Sequence, residues 1–275
     1  MPFLQSSANA SDPINIYYED LGKGKNVVFI HGWPLSGSMW EYQVTQLINH
    51  GIRCITYDRR GFGKSDYPAS GFDYNTLAGD LKAVIDGLDL QDVTLVGFSM
   101  GGGEIAKYFS LYGANRIKKV VLISVVLPYM LQTEDNPDGV AMEAFEKMTK
   151  AMTADRPTFL ESFNKDFYGV GALNHPVTNA YLLNANSKAM DSSPIATLEC
   201  AKSFATTDFR KDVIKINVPA LIIHGNADKI VPIEATSNQS VKMISGAKYI
   251  VYENAPHGLW YTEKDKLNQD LIDFI

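Results

Sequence analysis

The feature that most constrains this chain is a repeated alternation of short apolar runs with longer stretches that carry helical apolar spacing. Val-Val-Phe-Ile at 27–30, Thr-Leu-Val-Gly at 94–97 and Val-Val-Leu-Ile at 120–123 carry no charged or strongly polar face, as expected of parallel strands covered on both sides. Candidate strands are Ile14–Glu19, Val27–His31, Arg53–Tyr57, Val93–Phe98, Lys119–Ser124, Ala220–His224 and Tyr249–Tyr252. Between them Leu77, Leu81, Val84, Ile85 and Leu88 recur at helical spacing, as do Ile105, Tyr108 and Phe109, and later Leu267, Leu271 and Ile272. Strands alternating with helices in this way predict an α/β fold with a mostly parallel sheet.

One stretch breaks the rhythm. From Leu127 to Phe204 no strand pattern appears, only helix-like pieces punctuated by Pro137, Pro157, Pro176 and Pro194, and the residue before each proline is an expected boundary. The 78 residues from 127 to 204 are too many for a loop between two strands. The expectation is a helical cap, 127–204, over a core formed by 1–126 and 205–275, the whole being one catalytic unit. Phe145, Met148 and Met152 lie on one helical face and Phe159, Leu160, Phe163 and Phe167 on another. Most of these side chains are expected in the core, with a few facing whatever the cap covers.

Composition removes several classes of function. Lys and Arg number 25 against 31 Asp and Glu, a net charge of −6, and no basic run is present, so neither nucleic acid nor an anionic membrane is an expected partner. No apolar run approaches the ~18 residues of a membrane span, and no basic n-region with an apolar h-region opens the chain. The two cysteines, Cys54 and Cys200, make no disulfide framework and no C-x-x-C pair. These features lead to the expectation of a globular protein of the cytoplasm.

Three motifs fit poorly. Gly61-Phe62-Gly63-Lys64-Ser65 ends like a phosphate-binding loop, but Asp58 stands where the first glycine is required and Pro68 blocks the helix that should follow. Gly101-Gly102-Gly103-Glu104-Ile105-Ala106 mimics a dinucleotide fingerprint, yet 120–128 offers no acid for a ribose. No His-x-x-x-His pair supplies zinc ligands.

A fourth motif has its required context. Gly97-Phe98-Ser99-Met100-Gly101 follows an apolar strand and opens a helix, the G-x-S-x-G arrangement in which a sharp turn lifts a serine hydroxyl above the sheet edge. Small flanking residues let strand and helix approach, and the Met100 N–H at the positive helix end is free for a developing oxyanion. A serine needs a base, and the base an orienting acid. Of the five histidines, His31, His50, His175 and His224 read as structural or exposed, whereas His257 in Ala-Pro-His-Gly follows the last strand. Asp228 follows the preceding strand, and the order Ser99, Asp228, His257 is that of this strand–turn–helix architecture. The loop after Val27–His31 reads His-Gly-Trp-Pro, which makes Trp33 N–H the second oxyanion donor and leaves Pro34 either to shape that loop or to serve as a plain turn residue.

His-Gly-Trp-Pro at 31–34, Tyr-Asp-Arg-Arg-Gly-Phe-Gly-Lys-Ser at 57–65, Gly-Phe-Ser-Met-Gly-Gly-Gly-Glu at 97–104 and Ala-Pro-His-Gly at 255–258 together resemble the α/β-hydrolases. Within them they are similar to the bacterial cofactor-free haloperoxidases (non-haem chloroperoxidases, perhydrolases) and aryl esterases. The resemblance implies the α/β-hydrolase fold, with its cap inserted after the sixth strand of that fold. It further implies a triad of Ser99, Asp228 and His257, oxyanion donors Trp33 and Met100, and no haem, metal or other cofactor. The implied activity is hydrolysis of small esters through an acyl-enzyme, joined by perhydrolysis, in which hydrogen peroxide takes the acyl group and the peracid oxidises halide. Implied partners are a small ester or carboxylic acid, hydrogen peroxide and, as in other members, further copies of the chain. Substrate-binding candidates are Pro34, Val126, Leu127, Phe163, Phe167, Phe204, Ile230 and Val231, mostly apolar, which suits a small uncharged acyl group. The rival readings are a plain esterase, lactonase or lactamase, and a binding protein that keeps the pocket without the chemistry; dehalogenases and epoxide hydrolases carry Asp where Ser99 stands.

Overall fold

The computed structural model describes residues 2–8 and 13–275. Its strands are β1 (Phe3–Ser6), β2 (Ile14–Gly22), β3 (Lys25–Ile30), β4 (Ile52–Tyr57), β5 (Val93–Phe98), β6 (Ile117–Ile123), β7 (Ala220–Gly225) and β8 (Lys248–Tyr252). They form one eight-stranded sheet in the order β1-β2-β4-β3-β5-β6-β7-β8. From β4 to β8 all pairings are parallel, while β2 runs antiparallel to β4 and β1 to β2. The sequence pattern does not anticipate β1, because four residues are too few to display a period. It also stops β2 at Glu19, whereas pairing with β4 carries that strand on to Gly22.

The apolar runs have a direct structural cause. Val28, Ile30, Leu95, Val120, Leu122 and Ile222 pack under α2 (Tyr74–Gly87) and α3 (Met100–Tyr112). Their neighbours Val27, Phe29, Val96, Val121, Ile123 and Leu221 pack on the opposite face against α1 (Glu41–Leu47) and a helix at 264–274. Each inner strand thus feeds two cores, which removes the need for a polar face.

The segment between β6 and β7 is helical, as expected: α4 (Met142–Ala154), α5 (Arg156–Phe167), α6 (Asn179–Met190), α7 (Pro194–Thr206) and the short α8 (Arg210–Val213). Pro157 and Pro194 sit in the first turns of α5 and α7, where a missing N–H costs nothing. α7 continues to Thr206, past the expected limit at Phe204, because its buried face of Ala196, Cys200, Ala201 and Ala205 is unbroken there. After β7 come α9 (Ser237–Met243), α10 (Leu259–Thr262) and α11 (Lys264–Phe274). No helix among the described residues is long and apolar enough to cross a membrane.

The strand order reverses at β3, which lies between β4 and β5. A crevice opens outside the carboxyl ends of strands at such a point, and the loops after β3, β5, β7 and β8 meet there.

Candidate active site

Ser99 stands between β5 and α3 at φ 53°, ψ −119°. A non-glycine residue held in this region carries strain of about 1–3 kcal/mol, which the surroundings must offset. They do so by close packing. A Cβ added at Gly97 would lie 2.7 Å from Ile105 Cδ1, and one at Gly101 2.7 Å from the Ile30 carbonyl, so only glycine lets strand and helix meet beneath the serine. The Ser99 N–H donates to the Ile123 carbonyl at 2.9 Å, which pins the turn to β6.

The loops after β7 and β8 bring two further groups to this turn. His257 Nε2 lies 3.0 Å from Ser99 Oγ, and His257 Nδ1 lies 2.6 Å from Asp228 Oδ2. Both side chains of the His257–Asp228 pair are fully buried. Asp228 Oδ1 accepts the Ile230 and Val231 N–H groups at 2.8 and 2.9 Å. Burial alone would push the Asp228 carboxyl up, but the charge and hydrogen bonds of His257 and His224 hold it well below the usual carboxylate range. A carboxylate so held only accepts, so Nδ1 of His257 is the donor and Nε2 is left to face the hydroxyl. The His257 ring is packed between Phe98 and Phe167, with ring centroids 4.8 and 4.7 Å away.

His224, at the end of β7, is buried; its Nε2 lies 3.2 Å from Asp228 Oδ2 and 3.0 Å from the Val231 carbonyl, and its Nδ1 2.7 Å from Ser237 Oγ. His31 is buried too, while His50 and His175 are exposed. Among the described residues, neither the Trp33 nor the Met100 N–H donates to a protein acceptor. Likewise no cluster of three or more His, Cys, Asp or Glu side chains is placed to hold a metal ion among those residues.

Ser99 and His257 open on a cavity of about 160 Å³, close to the size that holds a benzene ring. Of the residues expected to line it, Val126, Phe163, Phe204, Ile230 and Val231 do, joined by the Trp33 side chain. The Trp33 indole is fixed by a 2.9 Å hydrogen bond to the Thr197 carbonyl and meets Phe163 and Phe204 edge-on. Pro34, Leu127 and Phe167 do not line the cavity. Pro34 is buried in the turn closed by the Leu35 N–H to the Gly32 carbonyl, and Leu127 is fully buried in the core under the sheet. Phe167 instead packs on the His257 ring, Phe98 and Trp260.

The sequence pattern misses Met130, Val140, Ala144, Phe145, Met148 and Lys229, which also line the cavity. Ala144 and Met148 are four residues apart on α4, a spacing that marks a helix face, but nothing in it says what that face meets, and Val140 stands before the helix, bridged to Leu131. α4 forms one wall of the cavity through Ala144, Phe145 and Met148, while Met152, on the same helix, is buried in the core without reaching the cavity. Met130 is brought in by pairing with Val140, whose N–H donates to the Met130 carbonyl at 2.8 Å; no sequence signal announces that contact.

Residues 25–263 match the alpha/beta hydrolase fold family model. The chain is 40% identical over 276 residues to a non-heme haloperoxidase of Rhodococcus erythropolis, covering 100% of this chain and 99% of that protein. It is 36% identical to a bifunctional esterase/perhydrolase of Acinetobacter calcoaceticus, covering 96% and 97% of the two chains. Among solved structures it superposes on a bromoperoxidase from Bacillus anthracis with a TM-score of 0.94, at 45% identity and 99% coverage of both chains.

Proposed function

Because the chain belongs to the alpha/beta hydrolase fold family, grouping there with the non-heme haloperoxidases, we propose that it is a serine hydrolase of small carboxylic esters with perhydrolase activity. The observation that carries this reading is the line Ser99 Oγ–His257 Nε2–Nδ1–Asp228 Oδ2, with steps of 3.0 and 2.6 Å, at the floor of an apolar cavity.

Ser99 Oγ attacks the ester carbonyl as His257 Nε2 takes its proton, and the Trp33 and Met100 N–H groups receive the oxyanion. His257 passes the proton to the leaving alcohol, which departs from the acyl-Ser99. Water or hydrogen peroxide then attacks the acyl carbon while His257 takes its proton. The bond to Ser99 Oγ breaks and the proton returns to Ser99, releasing a carboxylic acid or a peracid. The peracid oxidises halide away from the protein, being reduced to the carboxylic acid. Asp228 keeps the imidazole in the Nδ1–H tautomer throughout. A relative that combines esterase and perhydrolase activity supports joining the two reactions here. We also propose a cytoplasmic location, which suits two buried free thiols, Cys54 and Cys200.

Ser99→Ala tests the reading. It should leave the fold intact and lower p-nitrophenyl acetate hydrolysis and peracid formation together by several orders of magnitude. A purified variant retaining more than about a tenth of either rate would refute the assignment of the nucleophile.

A further inference from the structure

His31 has no exposed surface and takes no part in the line from Ser99 to Asp228, yet its proton can be located. Its Nε2 accepts the Arg59 backbone N–H at 2.9 Å, so in a neutral ring the single proton is on Nδ1. Nδ1 lies 2.8 Å from the Gly32 carbonyl and donates to it. The Arg59 Nη1 contact to Nδ1, at 3.3 Å, sets one N–H against another and is not a hydrogen bond in this tautomer. The Leu35 N–H reaches the same carbonyl at 3.1 Å.

Gly32–Trp33 is a trans peptide, the cis bonds among the described residues being Trp33–Pro34 and Leu127–Pro128. In a trans peptide the C=O and N–H point in opposite directions from one plane. Holding the Gly32 carbonyl therefore also aims the Trp33 N–H. The backbone here lies against the nucleophile: a Cβ added at Gly32 would fall 2.5 Å from the Phe98 ring and 3.2 Å from Ser99 Cβ.

The ring is itself anchored. Arg59 Nη2 donates to the His31 carbonyl at 2.7 Å and Arg59 Nε to Glu104 Oε1 at 2.6 Å, while Tyr57 Oη donates to Glu104 Oε2 at 2.6 Å. Glu104 lies one turn into α3, the helix that starts at Met100. One fully buried ion pair thus ties the loop that carries Trp33 to the helix that carries Met100.

We propose that His31 is a positioning residue of the oxyanion hole: its Nδ1–H holds the Gly32 carbonyl and so presents the Trp33 N–H to the carbonyl that Ser99 attacks. This rests on the reading of Ser99 as the nucleophile.

Three variants separate the two hydrogen bonds of the ring. His31→Asn keeps a donor near the Nδ1 position, His31→Gln keeps a polar group near Nε2 without that donor, and His31→Leu keeps neither. Losing one oxyanion donor outright costs about 10²–10³ in kcat, and a misaimed donor costs less. The Leu and Gln variants should therefore lose about 10- to 100-fold in kcat with KM within about threefold, and Asn should recover to within about fivefold of the wild type. Affinity for an aryl trifluoromethyl ketone, which forms a tetrahedral adduct on Ser99, should fall in step with kcat/KM. Affinity for the parent acetophenone should not move.

An unchanged kcat in the Gln variant, a loss confined to KM, or an Asn variant as poor as Leu would overturn the proposal. If Leu fails to fold, the Asn–Gln pair decides alone. Failure of the underlying reading looks different: the wild type would lack ester hydrolysis, or Ser99→Ala would retain it.

Discussion

Acidification from pH 7.5 to 5.5 should cost the protein stability at His31, by an amount set by where the ring sits. Burial, and after it the Arg59 guanidinium, hold this imidazole well below its ordinary pKa, outweighing the hydrogen bond to Gly32. The native ring stays neutral while the same residue in the unfolded chain titrates near 6.5. Below that pH the unfolded state binds more protons, so stability falls as pH falls; above it the penalty is absent. The limiting slope is about 1.4 kcal/mol per pH unit for one such group, and integration from pH 7.5 to 5.5 gives about 1.4 kcal/mol in all. Urea unfolding of the wild type and of His31→Asn at the two pH values isolates this contribution, because every other histidine is common to both chains. The wild type should lose about 1.4 kcal/mol more than the variant over that interval. Equal losses would refute the neutral buried ring, and with it the tautomer that directs Nδ1–H at Gly32.

Two other substitutions probe the cavity and the acid. Phe145 and Met148 separate the 160 Å³ cavity from a surface groove between α4 and α7 of about 480 Å³. Phe145→Ala should join them, so that each added methylene of the acyl chain gains about 0.8 kcal/mol, or roughly fourfold in kcat/KM, where the wild type gains nothing. The octanoate-to-butyrate ratio of p-nitrophenyl esters reads this directly, and an unchanged ratio would place the limit elsewhere. Asp228→Asn should lower turnover about 10⁴-fold by releasing the wrong imidazole tautomer. Asp58→Asn, whose carboxylate accepts the Gly37 and Lys64 N–H groups at 2.8 Å, should keep turnover within a few-fold and lose about 1–3 kcal/mol of stability. Steady-state kinetics beside urea unfolding distinguish the two, and the reverse ranking would sink the choice of acid.

Most of the fold is legible in the sequence because parallel strands covered on both faces must be apolar at successive positions, and Val27 to Ile30 or Val120 to Ile123 show this directly. The sharp turn at Ser99 is legible for a related reason: Gly97 and Gly101 are demanded by contacts under 3 Å that any side chain would violate. Strand ends also mark Asp228 and His257 as neighbours of one sheet edge. What the sequence cannot contain is distance. The separations of 2.6 and 3.0 Å along Asp228, His257 and Ser99 depend on the strand order β5-β6-β7-β8 and on how two loops return over it. The same holds for the cavity. Periodicity states that Phe145, Met148 and Met152 share one face of α4, but only the packing of that helix in the cap puts Phe145 and Met148 in the cavity wall and leaves Met152 in the core away from it. Phe167 reads as a pocket residue by its spacing with Phe163, and packing places it instead behind the His257 ring. The buried Arg59–Glu104 pair is the extreme case, since its partners are 45 residues apart and nothing local relates them. Local pattern follows from chain geometry and burial, whereas side chains from distant segments meet only where tertiary packing brings their elements together.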